Sequence, residues 1–142
     1  MMNAEFRAPR DICERSYRFA LLIIRIVRKL PRDVAGRAVG EQLVRAGPGV
    51  GANVEEAQGA LTHRDFTHSM NVAKKEARES HYWLRLIGDS GLLDDPDVEA
   101  GRREADELTR ILTSIVKKAQ GPAVQVGPTA PRRHSRAGDR HS

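Results

Sequence analysis

The sequence predicts an all-α chain folded as an antiparallel up-down-up-down four-helix bundle, and three observations carry that expectation. Apolar residues recur at helical spacing in four separate segments of the 142 residues. No stretch alternates apolar and polar residues as a half-buried strand does. The connections near residues 30–33, 59–62 and 88–95 are short, which makes neighbouring helices antiparallel. A chain of this length supports one hydrophobic core rather than two.

The first segment places Phe19, Leu22, Ile23, Ile26, Val27 and Leu30 on one helix face. Asp11 with Glu14 supplies an expected capping box, and Pro31 ends the helix. The second segment begins near Asp33 and turns Val39, Leu43, Ala46, Val50, Val54 and Ala57 inward. Gly47-Pro48-Gly49 falls inside it. A proline there removes a backbone donor and crowds the preceding turn, costing about 3 kcal/mol or more, so a kink or a break is expected.

The third segment is the best defined. Thr62 and Asp65 have capping-box spacing, and Phe66, Met70, Ala73, Ala77, Ser80, Leu84 and Ile87 then repeat by alternating fours and threes. On the same helix Val72, Trp83 and Leu86 form a second apolar stripe, about 100° or more around the axis. A single small bundle leaves such a stripe partly in water, so it is expected to be a subunit interface. The fourth segment opens with Asp95 as cap and Pro96 at the first helical position, with Asp97 and Glu99 at the positive end of the helix dipole. Leu108, Ile111, Leu112, Ile115 and Ala119 are its expected buried face, and Lys117, Lys118, Gly121 and Pro122 close it. The bundle thus occupies residues 11–120. Residues 1–10 are expected to be a flexible N-terminus, and 121–142, rich in Gly, Pro, Ser, Arg and His, a disordered basic tail.

Several function classes are disfavoured by what the chain lacks. Cys13 is the one cysteine, which excludes an intramolecular disulfide and a cysteine-rich zinc site and fits a cytoplasmic location. The longest apolar run, residues 19–24, is cut off by Arg25, far short of the roughly 20 residues of a membrane span. No signal peptide is expected, because no small-residue cleavage site follows that run. A di-iron bundle needs repeated Glu-x-x-His pairs. The nearest approach, Asp65-Phe66-Thr67-His68, occurs once and reads as a first-turn acid beside a surface histidine.

His63, His81, His134 and His141 have no ligand spacing, so neither metal nor cofactor is expected. Cys13 has no paired base in the sequence and reads as inert. The run from Gly47 to Gly51 follows a helix and lacks the Gly-Lys-Ser/Thr ending of a phosphate loop. It reads instead as a close helix crossing. Asn53, Glu55 and Glu56 read as polar groups satisfied at helix or subunit contacts, with Asn53 assigned to the oligomer interface. No catalytic residue is expected, and the chain reads as non-enzymatic.

The net charge of +5 is unevenly spread. Residues 7–45 hold ten Lys/Arg against four acids, whereas residues 89–107 hold eight acids against two arginines. On the first helix Arg25, Lys29 and Arg32 lie within about 40° of Arg18, with Arg28 on the flank. Such a row suits a phosphate backbone, so Arg18, Arg25, Arg28, Lys29 and Arg32 are the expected nucleic-acid-binding residues. The competing reading is a protein-interaction scaffold without a nucleic-acid role, assembled through Val72, Trp83, Leu86 and the acidic 89–107 segment.

Three motifs carry a resemblance: Gly51-Ala52-Asn53-Val54-Glu55-Glu56-Ala57, Lys75-Glu76-Ala77-Arg78-Glu79-Ser80 and Tyr82-Trp83-Leu84-Arg85-Leu86. Around them the chain resembles the bacterial four-helix bundle proteins related to the 23S rRNA intervening-sequence (S23) protein. That group is similar to the accessory protein of diversity-generating retroelements. The resemblance covers roughly residues 12–120. It implies a ring-like homopentamer without a catalytic centre, whose basic surface meets structured RNA and a reverse transcriptase. Gly47-Pro48-Gly49-Val50 departs from the family's Ser/Thr-rich turn at that point.

Overall fold

A computed structural model describes residues 10–121. The expected flexible and disordered ends lie outside the described residues, apart from Arg10 and Gly121 at the two boundaries. Four helices follow in order: α1 (Arg10–Val27), α2 (Val34–Gln58), α3 (His63–Ser90) and α4 (Pro96–Gln120). No strand occurs among the described residues, and the chain is an all-α four-helix bundle.

Side-chain caps begin three of the helices. Asp33 accepts from the Gly36 N–H at 2.8 Å, Thr62 from Asp65 at 3.1 Å and Asp95 from Asp97 at 2.8 Å. Each satisfies a donor that the first helical turn leaves without a partner. α1 opens at Arg10, so Asp11 lies inside its first turn rather than at the expected cap. Gly91, in the left-handed conformation at φ +76°, ends α3, and the Leu92 N–H reaches back to the Ile87 carbonyl at 3.1 Å.

α1 stops as expected before Pro31, but earlier than the basic row requires. After Val27 the chain tightens, with Lys29 donating to Ile26 and Leu30 to Val27. Arg32 therefore lies off the helix, beyond the face it was expected to share.

α2 corrects a second expectation: it runs unbroken from Val34 to Gln58 with Pro48 inside it. The residue before a proline normally avoids the helical region because its Cβ meets the pyrrolidine ring. Gly47 has no Cβ. The same absence serves packing, since a Cβ at 47 would lie 2.6–2.8 Å from three atoms of Ile23 on α1. Gly40 sits against Leu30 and Val27, and Gly51 against Ser16. A stripe of small residues thus lets α1 approach the α2 backbone, as the glycine-rich run suggested.

The core lies between the helices and contains Phe19, Ile23, Leu43, Val50, Phe66, Met70, Leu84 and Leu112, all essentially without solvent exposure. All seven expected α3 positions are buried. On α4 the buried face is turned slightly from the expected one: Ala105 and Val116 are inside, whereas Ile111 and Ile115 are half-buried. The buried hydroxyls of Ser16 and Ser80 donate to the Ile12 and Glu76 carbonyls of their own helices, which removes the cost of burying them unpaired.

Candidate nucleic-acid interface

In this topology the end of α1 and the start of α4 share one end of the bundle. That brings together the basic and acidic segments, far apart in sequence. Arg25 donates to Asp97 at 3.0 Å, and Lys29 to both Asp95 and Asp97 at 3.0 and 3.1 Å. Farther along, Arg15 makes a two-point contact with Glu104 at 2.7 and 3.0 Å.

The hydrogen bond from Arg25, then that from Lys29, lowers the Asp97 pKa. The Asp97 backbone N–H, then Lys29, does the same for Asp95. Lys29 and Arg25 are raised in turn by these carboxylates. Both cations remain substantially exposed, so each pair contributes little to stability alone.

The five expected phosphate-binding residues therefore divide. Arg18 pairs with Glu14 on its own helix at 3.2 Å, and Arg25 and Lys29 pair with α4. Arg28 and Arg32 are exposed and make no ion pair among the described residues. They line a cleft of about 610 Å³ with Arg37, whose guanidinium donates to the Arg32 carbonyl at 3.2 Å. The cleft floor is apolar, formed by Val27, Leu30, Pro31 and Val44, and Glu41 is the acid in its lining. Sequence reasoning missed Arg37 as a binding residue because it lies on α2. Only the tight α1–α2 turn brings it beside Arg28.

The four expected interface residues come from two neighbouring helices, α3 and α2. Val72, Trp83 and Leu86 are on α3, with Leu86 38% exposed and Val72 and Trp83 half-buried. Trp83 packs on the core of its own chain and meets Tyr82 edge-on, ring centres 4.9 Å apart. Asn53 is on α2, where its amide donates to the Gly49 carbonyl of its own helix at 2.8 Å.

A second apolar surface was missed. Tyr17, Leu21 and Ile24 on α1 are 60%, 48% and 41% exposed. Their i, i+4, i+7 spacing was readable, because it falls outside the core stripe of the same helix.

Glu55, Glu56, Asp65 and His68 line a smaller cleft beside the α2–α3 turn. No group of three or more His, Cys, Asp or Glu among the described residues is placed to hold a metal ion. Cys13 is half-buried on α1. Among the described residues no helix is long and apolar enough to cross a membrane.

The sequence profile of the 23S rRNA-intervening sequence protein family matches residues 10–114, which span all four helices. The chain belongs to that family. Another member of known structure is a protein of unknown function from the S23 ribosomal protein family of Bacteroides thetaiotaomicron. It is 30% identical, with a TM-score of 0.68 over 75% of this chain and 95% of its own. No curated protein matches the chain. For the 23S rRNA-intervening sequence family, then, the four-helix architecture is shared, and nothing in these likenesses points to catalysis.

Proposed function

We propose that the chain is a non-enzymatic, cytoplasmic, homo-oligomeric accessory protein whose basic surface binds RNA through the phosphate backbone. The observation that carries this reading is the meeting of Arg28, Arg32 and Arg37 in one open cleft. Guanidinium groups not engaged by carboxylates are available to phosphate oxygens, which they bind with two-point geometry. The family's link to a 23S rRNA intervening sequence makes RNA the first polyanion to test.

The test is binding of the purified chain to structured RNA, double-stranded DNA and an unrelated polyanion, titrated in salt. RNA preference with a steep salt slope is expected, because cations released from the backbone drive such binding. Arg28→Glu combined with Arg32→Glu is expected to abolish it, and failure of the unaltered chain to bind at low salt would reject the reading.

The apolar surfaces favour a second reading that is compatible with the first. α1 and α3 are diagonal in the bundle, each packing on α2 and α4. One presents Tyr17, Leu21 and Ile24, and the other Val72, Tyr82 and Leu86. Two different faces on opposite sides suit head-to-tail assembly, the arrangement that closes into rings such as a pentamer.

A further inference from the structure

We infer that the cleft between α1 and α2 seats one unpaired nucleotide of an RNA strand, its base on the apolar floor and its flanking phosphates on Arg28, Arg32 and Arg37. This rests on the RNA reading above and specifies which form of RNA the site takes. A site for backbone alone needs only charge. This cleft has more: Val27, Leu30, Pro31 and Val44 give it an apolar floor, and its volume of about 610 Å³ leaves room for a heterocycle.

The floor exists because two glycines carry no side chain over it. Gly36 sits so close to the Pro31 carbonyl that a Cβ has no space, and a Cβ at Gly40 would lie 3.3 Å from Leu30. α2 therefore starts directly against the end of α1, leaving the cleft open above them.

The cleft also carries polar groups of both signs. Arg28 and Arg32 come from the end of α1 and the turn after it, while Arg37 is held near them by its bond to the Arg32 carbonyl. Glu41 lies in the α2 wall. A carboxylate repels phosphate but accepts from ribose hydroxyls or a base amino group, so the phosphates belong toward Arg28 and Arg32, with Arg37 one turn from Glu41 on α2. In a duplex the bases are paired and stacked and do not reach such a floor, whereas an unpaired base can be splayed out onto a guanidinium plane and bury its face on the aliphatic floor.

The experiment uses the full chain and three probes of equal length: an unstructured RNA, the same strand with abasic sites at alternate positions, and a blunt RNA duplex. Fluorescence anisotropy across a salt series is expected to show the intact single strand bound about tenfold more tightly than the abasic strand or the duplex, the size expected from burying one base face on the aliphatic floor. Val44→Asn, which leaves the charge unchanged, is expected to remove most of that preference but retain the salt slope. Arg37→Glu is expected to weaken single-strand binding about tenfold or more without changing the melting temperature of the protein.

Equal affinity for intact and abasic strands, with the salt slope preserved, would overturn the nucleotide seat and leave backbone binding standing. An unchanged affinity in Arg37→Glu would also overturn the seat. Absence of binding to all three probes at low salt would overturn the RNA reading itself.

Discussion

At position 47 one absent methyl group sets how closely α1 and α2 pack. Replacing glycine with alanine in a helix interior ordinarily stabilises it by roughly 0.5–1 kcal/mol. At Gly47 the added Cβ would meet Ile23 at 2.6–2.8 Å, against the branch point of a side chain with no exposed surface to move into. Gly47→Ala is therefore expected to cost about 1–3 kcal/mol. At Gly49 the nearest atom is the carboxylate end of Glu76 at 3.2 Å, which swings aside. Gly49→Ala is expected to be neutral or to gain up to about 1 kcal/mol. Urea unfolding of the two variants checks the contrast, and equal effects would reject the close-crossing account. Sequence alone marked the glycines as a crossing but did not say which of them faces α1, because that depends on the roll of α2 about its own axis. Charged residues behave in the same way. Asp95 and Asp97 have lowered pKa values in the folded chain, so the stability they give is present above the ordinary aspartate range and is lost as pH falls through it. Glu76 is raised, first by burial and then by Glu79, and acts with the opposite sign. Asp97→Asn is expected to flatten the fall in melting temperature on acidification below about pH 4. A curve as steep as that of the unaltered chain would show that the ion pairs of Asp97 do not matter to folding.

At the scale of the helix, what was legible is what depends on local chemistry. The start of α2 near Asp33, the caps at Thr62 and Asp95 and the close of α4 at Gly121 are set by side chains within a few residues, and the structure places helix boundaries at each, whereas α1 ends at Val27, short of Pro31, with Asp11 inside it rather than at its cap. The α3 core stripe was legible because one strong periodicity decided it. α2 was misjudged at Pro48, where a local penalty competes with tertiary packing on both sides. Burial of Leu43, Ala46, Val50 and Val54 across that point outweighs one lost backbone bond. The penalty remains, and it is measurable. Pro48→Ala restores an N–H that can bond to the Val44 carbonyl, recovering about 3 kcal/mol less roughly 1 kcal/mol for the freer unfolded chain. A net gain of about 2 kcal/mol in denaturant unfolding is expected. A loss would show that the proline shapes the helix for the α1 crossing rather than being merely tolerated there.

For the molecule as a whole, topology decides which charges and which apolar faces meet. The sequence separated a basic segment from an acidic one, and the fold returns Arg15, Arg25 and Lys29 to the acids of α4. Arg28, Arg32 and Arg37 of the basic segment gather instead at the α1–α2 turn, a place the α1 helical wheel alone did not show because Arg37 comes from another helix. The same topology puts the Tyr17–Leu21–Ile24 face and the Leu86 face on diagonal helices, so the head-to-tail assembly proposed above uses two different surfaces of each subunit. Leu21→Glu spoils one face and Leu86→Glu the other. Both side chains are partly exposed, at 48% and 38%, so neither change places a charge in the core. Each variant alone is expected to be monomeric by light scattering, because every contact in a homo-oligomer then includes a spoiled face. Mixed in equal amounts, the two retain one intact pairing, between the α1 face of Leu86→Glu and the α3 face of Leu21→Glu. The mixture is expected to give a dimer and nothing larger, since both outer faces of that pair carry the charge. If instead α3 pairs with α3 of a second copy, Leu21→Glu keeps its full mass and Leu86→Glu alone dissociates, which would reject the ring and leave a two-fold dimer built on the α3 stripe.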